Sequence, residues 1–150
     1  MIHAARRGVA PRLLAFLVAL AAPAIAPSAF ADSPVAVGEV SAPQQEDAAK
    51  AIKTTLSEEL AKMKLPSGKK FIVSASLLKL ETKQSGADAT TQAIVSLAVR
   101  DAKDGAIRGV INGSGLVKSR AGDPTVTKTV VETAVRGATK NLPVVIAQAQ

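Results

Sequence analysis

The chain has 150 residues, a formal net charge of +7, one histidine and no cysteine. The lack of cysteine excludes disulfide bonds and thiol catalysis, because both need that side chain. Aromatic residues make up only 2% of the chain. Its stability must therefore come from an aliphatic core of Val, Ile, Leu and Ala side chains.

The first 31 residues have the pattern of a cleaved secretory signal peptide. Three arginines precede an apolar segment, 13–22, and Ala29-Phe30-Ala31 fits the small-x-small cleavage rule. This apolar segment is about half of the roughly 20 residues that a membrane-spanning helix needs. We predict export to the periplasm or the medium, and a mature chain that begins at Asp32 and has no transmembrane span.

Cleavage would change the composition on which function depends. It removes His3 and three of 19 basic residues but none of the 12 acidic ones, so the net charge falls from +7 to +4 (16 minus 12). A mature chain without histidine or cysteine cannot form a Ser-His-Asp or Cys-His arrangement, and it lacks the usual zinc ligands. We expect a protein that is not an enzyme and that binds no metal or cofactor.

The predicted elements begin with an N-terminal arm. Residues 32–45 hold two prolines and a short apolar alternation, which indicates an arm that is ordered in part as a strand. Ser41 and Gln44 form a capping-box pattern for a following helix. Pro66-Ser67-Gly68 ends this helix. Its apolar stripe consists of Ala48, Ile52, Leu56, Leu60 and Met63.

Three strands and a second helix follow. The strands are predicted at 69–83, 89–100 and 105–118, the last two joined by a hairpin turn at Asp104-Gly105. Asp123 and Pro124 suit the start of the second helix, which ends near residue 141. The tail 144–148 is ambiguous between a strand and a final helical turn. The apolar row of the second helix consists of Val126, Val130, Ala134 and Ala138.

This order predicts a single α+β domain over residues 32–150. Strands joined by short connections pair antiparallel, and amphipathic helices cover one face of the sheet they form. We therefore expect a two-layer sandwich with an antiparallel sheet of three strands, or four if the arm joins it. Two helices lie on one face, and the order is (β)-α-β-β-β-α.

The third strand carries glycines that need an explanation. Gly109, Gly113 and Gly115 share the face that bears Ile107 and Ile111, the predicted core face. A strand glycine often marks the close approach of another backbone, and the second helix has small residues suited to it. A dinucleotide loop is excluded by spacing, because its third glycine would fall on a lysine. We predict a groove that receives the second helix.

The opposite face of the sheet is the candidate interaction face. Parity places apolar and polar residues there, and the helices cannot cover both sides of the sheet. The alternative is that residues 35–40 or the tail 144–148 fold across it. The candidate residues are Ile94, Val110, Asn112 and Leu116 from the second and third strands, and Leu78 and Leu80 from the first.

These patterns predict an exported, non-enzymatic protein of the bacterial envelope. We expect it to bind another envelope protein or itself through the exposed sheet face. The alternative is a carrier that holds a small apolar ligand between sheet and helices. Nucleic-acid binding is excluded by the lack of aromatic stacking platforms. Four lysines suggest weak contact with anionic envelope polymers: Lys69, Lys70, Lys79 and Lys83.

Overall fold

The computed structural model describes residues 33–65 and 68–150. The predicted signal peptide, and Pro66 and Ser67 of the predicted helix stop, lie outside the described residues. Seven elements follow one another along the chain: β1 (Val35–Ser41), α1 (Glu46–Lys62), β2 (Phe71–Ser85), β3 (Asp88–Asp101), β4 (Ile107–Arg120), α2 (Val126–Thr139) and α3 (Leu142–Gln148). The α+β class and the order β-α-β-β-β-α are confirmed, with α3 added at the end.

The four strands form one mixed sheet in the order β1-β2-β3-β4. The pairs β2–β3 and β3–β4 are antiparallel, as their short connections predict. The prediction of a fully antiparallel sheet is wrong at β1, which pairs parallel to β2 with Val35 opposite Phe71. The physical reason is that α1 connects the two strands, and such a crossover returns the chain in the same direction. The strand predicted within the arm is thus an edge strand of the sheet.

All three helices pack on one face of this sheet and share one core with it. Phe71, Val95 and Leu97 are fully buried on the sheet side, and α1 and α2 bury most of their predicted apolar stripes in the same core. Met63, beyond the end of α1, and Val126 are only half-buried. The tail is a helix: Leu142 and Ile146 of α3 are buried in the same core. It lies on the helical side, so it does not cover the opposite face of the sheet.

The helix starts differ from the predicted ones. The capping box is wrong, because α1 begins at Glu46 after Gln45 and has no side-chain capping bond, while Gln44 adopts a φ of 60°. Helix α2 begins at Val126, two residues later than the predicted first residue. Asp123 still orders this entry, since its Oδ1 accepts hydrogen bonds from the backbone N–H and hydroxyl of Thr125 at 2.9 and 2.8 Å.

The glycine groove is confirmed. A methyl group on Gly113 would lie 2.6 Å from the backbone nitrogen of Ala138, and one on Gly115 would lie 3.0 Å from that of Ala134. Real side chains do not approach so closely, so α2 reaches β4 only because these positions lack a Cβ. Gly109 instead allows the close approach of α3, since a methyl group there would lie 2.5 Å from the side chain of Val145.

Candidate interaction face

The outer face is the side of the sheet turned away from the helices. Register aligns its residues in rows across the strands: Ser76 and Asn112 flank Ser96, while Val110 lies opposite Ala98. The alternation of burial along β3 and β4 separates this face from the core. The core-face residues of β3 are buried, and those of β4 are buried at Ile111, Gly113 and Gly115 and half-buried at Gly109, Val117 and Ser119. Within the described residues, every helix lies on the other side.

Four large aliphatic side chains are exposed on the outer face. Leu78 is 60% exposed, Val110 and Leu116 are both 59% exposed, and Ile107 is 58% exposed. Ile94 is half-buried between them and faces Ser114. The predicted residues Ile94, Val110, Asn112 and Leu116 are therefore brought together on adjacent strands. Leu78, on β2, lies on the same face.

The placement of Leu80 on the outer face is wrong. A β-bulge between Leu77 and Lys79 inserts one residue into β2, so that Lys79 pairs with Ile94 and Leu80 pairs with Ala93. A bulge reverses the parity of all residues beyond it, because side chains alternate with a period of two. Leu80 therefore points to the core face, where it packs against the core cluster.

Ile107 is a residue of the outer face that parity alone misses. A second bulge, at Arg108, makes Val99 pair with Gly109 and Arg100 pair with Ile107. The predicted core position of Ile107 is therefore wrong. Its side chain is exposed on the outer face, beside Arg100. The glycines that follow keep the predicted face because they lie beyond the bulge. A β-bulge leaves no reliable mark in a single sequence.

The bulge at Arg108 is held by two carboxylates. One Arg108 guanidinium nitrogen lies 3.1 Å from Asp101 Oδ2 and 2.8 Å from Asp104 Oδ2. The other oxygen of Asp101 accepts the backbone N–H of Lys103 at 2.9 Å. The hydrogen bond from Lys103, followed by that from Arg108, holds the pKa of Asp101 below its usual range against the effect of burial. These groups form a closed ionic cluster.

The four predicted lysines do not form one basic patch. Lys69 donates a hydrogen bond to the carbonyl oxygen of Ala149 at 3.0 Å, at the start of β2. Lys79 and Lys83 lie toward the other end of that strand, 2.7 and 3.9 Å from the Glu81 carboxylate. These two lysines, Lys79 foremost, lower the pKa of Glu81. Contact with anionic polymers stays a prediction without a single surface for it.

Two of the open depressions on the described surface bear on the hypothesis of a small-ligand carrier. One of about 260 Å³ lies on the outer face and is lined by residues such as Glu39, Leu78 and Arg100. The other, of about 610 Å³, runs between α1 and α2 and is lined largely by polar and charged residues such as Glu58 and Lys128. Neither has the enclosed apolar lining that a carrier of a small apolar ligand needs.

Comparison with known proteins shows the fold and no family. No protein-family model matches the chain, and no curated protein matches it. The crystal structure of a candidate lipoprotein from Caulobacter crescentus shares 14% identity over 77% of this chain and 89% of its own, with a TM-score of 0.51. That likeness supports a shared fold.

Two further solved structures are more distant. The PelC dodecamer from Paraburkholderia phytofirmans shares 13% identity over 74% of this chain and 88% of its own, with a TM-score of 0.46. A minor lipoprotein from Acinetobacter baumannii shares 9% identity over 72% and 90%, with a TM-score of 0.45. Within the residues that the structure describes, no helix combines the length and apolar character needed to cross a bilayer.

Proposed function

We propose that this chain is a non-enzymatic protein of the bacterial envelope that associates with another envelope protein, or with a second copy, through its outer face. The observation that supports this proposal is the exposure of four large aliphatic side chains, each close to 60% exposed. They lie on a face of the sheet that no element of the described chain covers. An apolar surface of this kind, rimmed by polar groups, is typical of an interaction site.

The polar residues of the outer face suit a specific contact. Ser76, Ser96 and Asn112 form a row across three strands, between the apolar positions Val110 and Leu116. Hydroxyl and amide groups in such a row can pair with a partner's polar atoms when the aliphatic residues around them exclude water. This pattern favours protein association over a lipid surface, which offers no matching polar groups at that depth.

Export and the lack of an enzymatic role rest on the sequence. The leader pattern ends at Ala31, and the mature chain would hold neither histidine nor cysteine. Mass spectrometry of protein recovered from the envelope is expected to show a chain that begins at Asp32. An intact N-terminus would contradict the proposal that the protein is exported by cleavage.

Association through the outer face is tested with charge substitutions. The full chain carries a C-terminal tag and is produced with its own leader, as wild type, Leu78→Lys, Val110→Lys and Val144→Lys. Val144 is a matched control because it is 57% exposed on α3, on the helical side. Mass photometry and affinity capture from envelope extracts measure self-association and defined partners.

We expect Leu78→Lys and Val110→Lys to lose the associated species, because an unpaired charge in an apolar contact is costly. The Val144→Lys protein keeps it. A protein that stays monomeric and captures no stoichiometric partner would contradict the proposed function, and so would equal association by all three variants.

A further inference from the structure

The outer edge of the sheet at β4 has no pairing strand among the described residues. Strand β4 spans 14 residues, and its hydrogen-bonded neighbour is β3 on the inner side only. Its sequence, from Ile107 to Arg120, contains neither proline nor an acidic residue. Proline and a short length are two common devices that prevent an edge from pairing with another chain, and β4 has neither. Its charged residues and its bulge lie toward the two ends, at Arg108, Lys118 and Arg120, so the middle of the strand carries no such device.

We propose that β4 pairs antiparallel with β4 of a second copy, about a two-fold axis at Gly113, so that two four-stranded sheets become one sheet of eight strands. The proposal goes beyond the proposed function, because it places a contact at the edge of the sheet, where Val110 and Leu116 are the residues of the outer face that take part. A two-fold contact uses the same surface on both copies, so the strand must complement itself. Three features of β4 and its surroundings meet this condition.

The first feature is the pairing of exposed aliphatic residues. With Gly113 on the axis, Val110 lies opposite Leu116 of the second copy, and Asn112 lies opposite Ser114. Val110 and Leu116 are each 59% exposed in the single chain, and both lie on the outer face. Directly opposed side chains in an antiparallel pair lie close enough to contact each other. Moving the axis to either neighbouring residue of the outer face places each aliphatic side chain opposite a polar one.

The second feature is charge complementarity at the two ends of the strand. Arg108 at the start of β4 binds the carboxylates of Asp101 and Asp104, and the side chain of Asp104 is 51% exposed. The other end carries Lys118 and Arg120, with Asp88 of β3 opposite Arg120 and no acidic residue opposite Lys118. An antiparallel pair brings Lys118 opposite Arg108 and its carboxylates. The exposed Asp104 carboxylate beside Arg108 of one copy therefore lies near Lys118 of the other copy at both ends.

The third feature is the small surface of α2 above the edge. Thr133 and Gly137 lie over β4, next to Gly115 and the carbonyl oxygen of Ser114. The Thr133 hydroxyl bonds back to the carbonyl oxygen of Thr129 at 2.8 Å, so its donor is satisfied within the helix. A second α2 can approach such a surface without burying an unpaired polar group. At these two positions the helical layer presents small side chains to a second copy.

Disulfide trapping tests the register directly, because the native chain has no cysteine. The full chain is prepared as Asn112→Cys, Ser114→Cys and Ser96→Cys, and the proteins are oxidised singly and as mixtures. We expect the mixture of Asn112→Cys and Ser114→Cys to give the most dimer on a non-reducing gel, since these positions oppose each other across the axis. Ser96→Cys is the matched control on the same face, one strand further in, beside Asn112.

Charge reversal tests the contact in the unmodified assembly. Light scattering over a range of concentrations is expected to show a dimer for the wild type. Lys118→Glu places a carboxylate near the exposed Asp104 carboxylate of the other copy at both ends, and we expect it to raise the dissociation constant about tenfold. The double variant Lys118→Glu with Asp104→Lys restores opposite charges and is expected to recover most of the affinity. Circular dichroism confirms that each variant is folded.

The outcomes separate this inference from the proposed function. A wild type that is monomeric throughout and gives no crosslink in the mixture overturns the strand pairing. In that case, capture of a defined envelope protein that is sensitive to Leu78→Lys would still support the proposed function. Efficient crosslinking through Ser96→Cys would instead indicate face-to-face packing, and it too would overturn the edge contact.

Discussion

The backbone of Ala134 in α2 lies directly against Gly113 in β4. A methyl group on Gly113 would overlap the Ala134 carbonyl oxygen and would also lie 2.6 Å from the nitrogen of Ala138. These neighbours are main-chain atoms of a helix, which cannot move aside as a flexible side chain can. The contact at this point therefore depends on the absence of a Cβ at Gly113, and a single substitution tests it.

Gly113→Ala is expected to destabilise the protein. The added methyl group forces α2 away from β4, and overpacking of this kind typically costs about 1–3 kcal/mol of unfolding free energy. Urea denaturation followed by circular dichroism measures the change. Gly109→Ala is the matched comparison, because its methyl group would meet only the side chain of Val145, which can rotate, so we expect a smaller loss. Equal midpoints for wild type and Gly113→Ala would contradict the close contact.

Gly137→Ala is expected to have the opposite effect. Gly137 lies within α2, and a methyl group there would find its nearest neighbour, the carbonyl oxygen of Ser114, at an ordinary distance of 3.7 Å. A glycine in a helix interior is less favourable than alanine by roughly 0.5–1 kcal/mol, so the substitution is expected to stabilise by about that amount. Thermal and urea unfolding of Gly137→Ala measure it. A loss of stability would mean that α2 lies closer to β4 at this position.

The periodicity of the sequence was sufficient to predict the fold class and the order of the helices and strands. Spacings of three and four residues marked the buried stripes of α1 and α2, and alternation marked β3, where every odd-numbered residue from Ala89 to Asp101 is buried. The glycine groove could be predicted because it depends only on parity along a regular strand. Those predictions concern interactions that repeat along the chain.

The missed features have a different physical origin. The parallel pairing of β1 depends on where α1 returns the chain, which is a tertiary choice that periodicity does not encode. Leu80 and Ile107 were assigned to the wrong faces because a bulge inserts one residue and reverses the alternation. Four of the six candidate residues lie on β3 and β4 beyond any such irregularity, and these were placed correctly.

The bulge in β2 predicts a contrast between two leucines. Leu80 packs against the core, whereas Leu78 is 60% exposed on the outer face. Leu80→Ala is expected to lower the unfolding free energy by about 1–2 kcal/mol, less than for a fully buried leucine. Leu78→Ala should stay within about 0.5 kcal/mol, as is usual for an exposed position. Guanidinium denaturation at a protein concentration low enough to prevent association compares the pair. The reverse order of the two losses would mean that β2 has no bulge.

The ionic cluster at the β3–β4 turn predicts a pH dependence of stability. The hydrogen bond from Lys103 and the guanidinium of Arg108 lower the pKa of Asp101 in the folded state. A lowered folded pKa means that the unfolded chain binds this proton first, so the stabilisation is complete above the ordinary aspartate pKa of about 4. It is lost as the pH falls through the lower folded value.

Asp101→Asn removes this linkage and is expected to destabilise the protein at pH 7. Because the variant has no proton to bind at this position, the gap in unfolding free energy between it and the wild type should narrow as the pH falls below about 4. Urea unfolding at a series of pH values between neutral and strongly acidic measures the gap. Asp88→Asn is a control at an exposed aspartate of the same strand. A gap for Asp101→Asn that stays constant over the whole series would show that the Asp101 carboxylate contributes no charge-dependent stability.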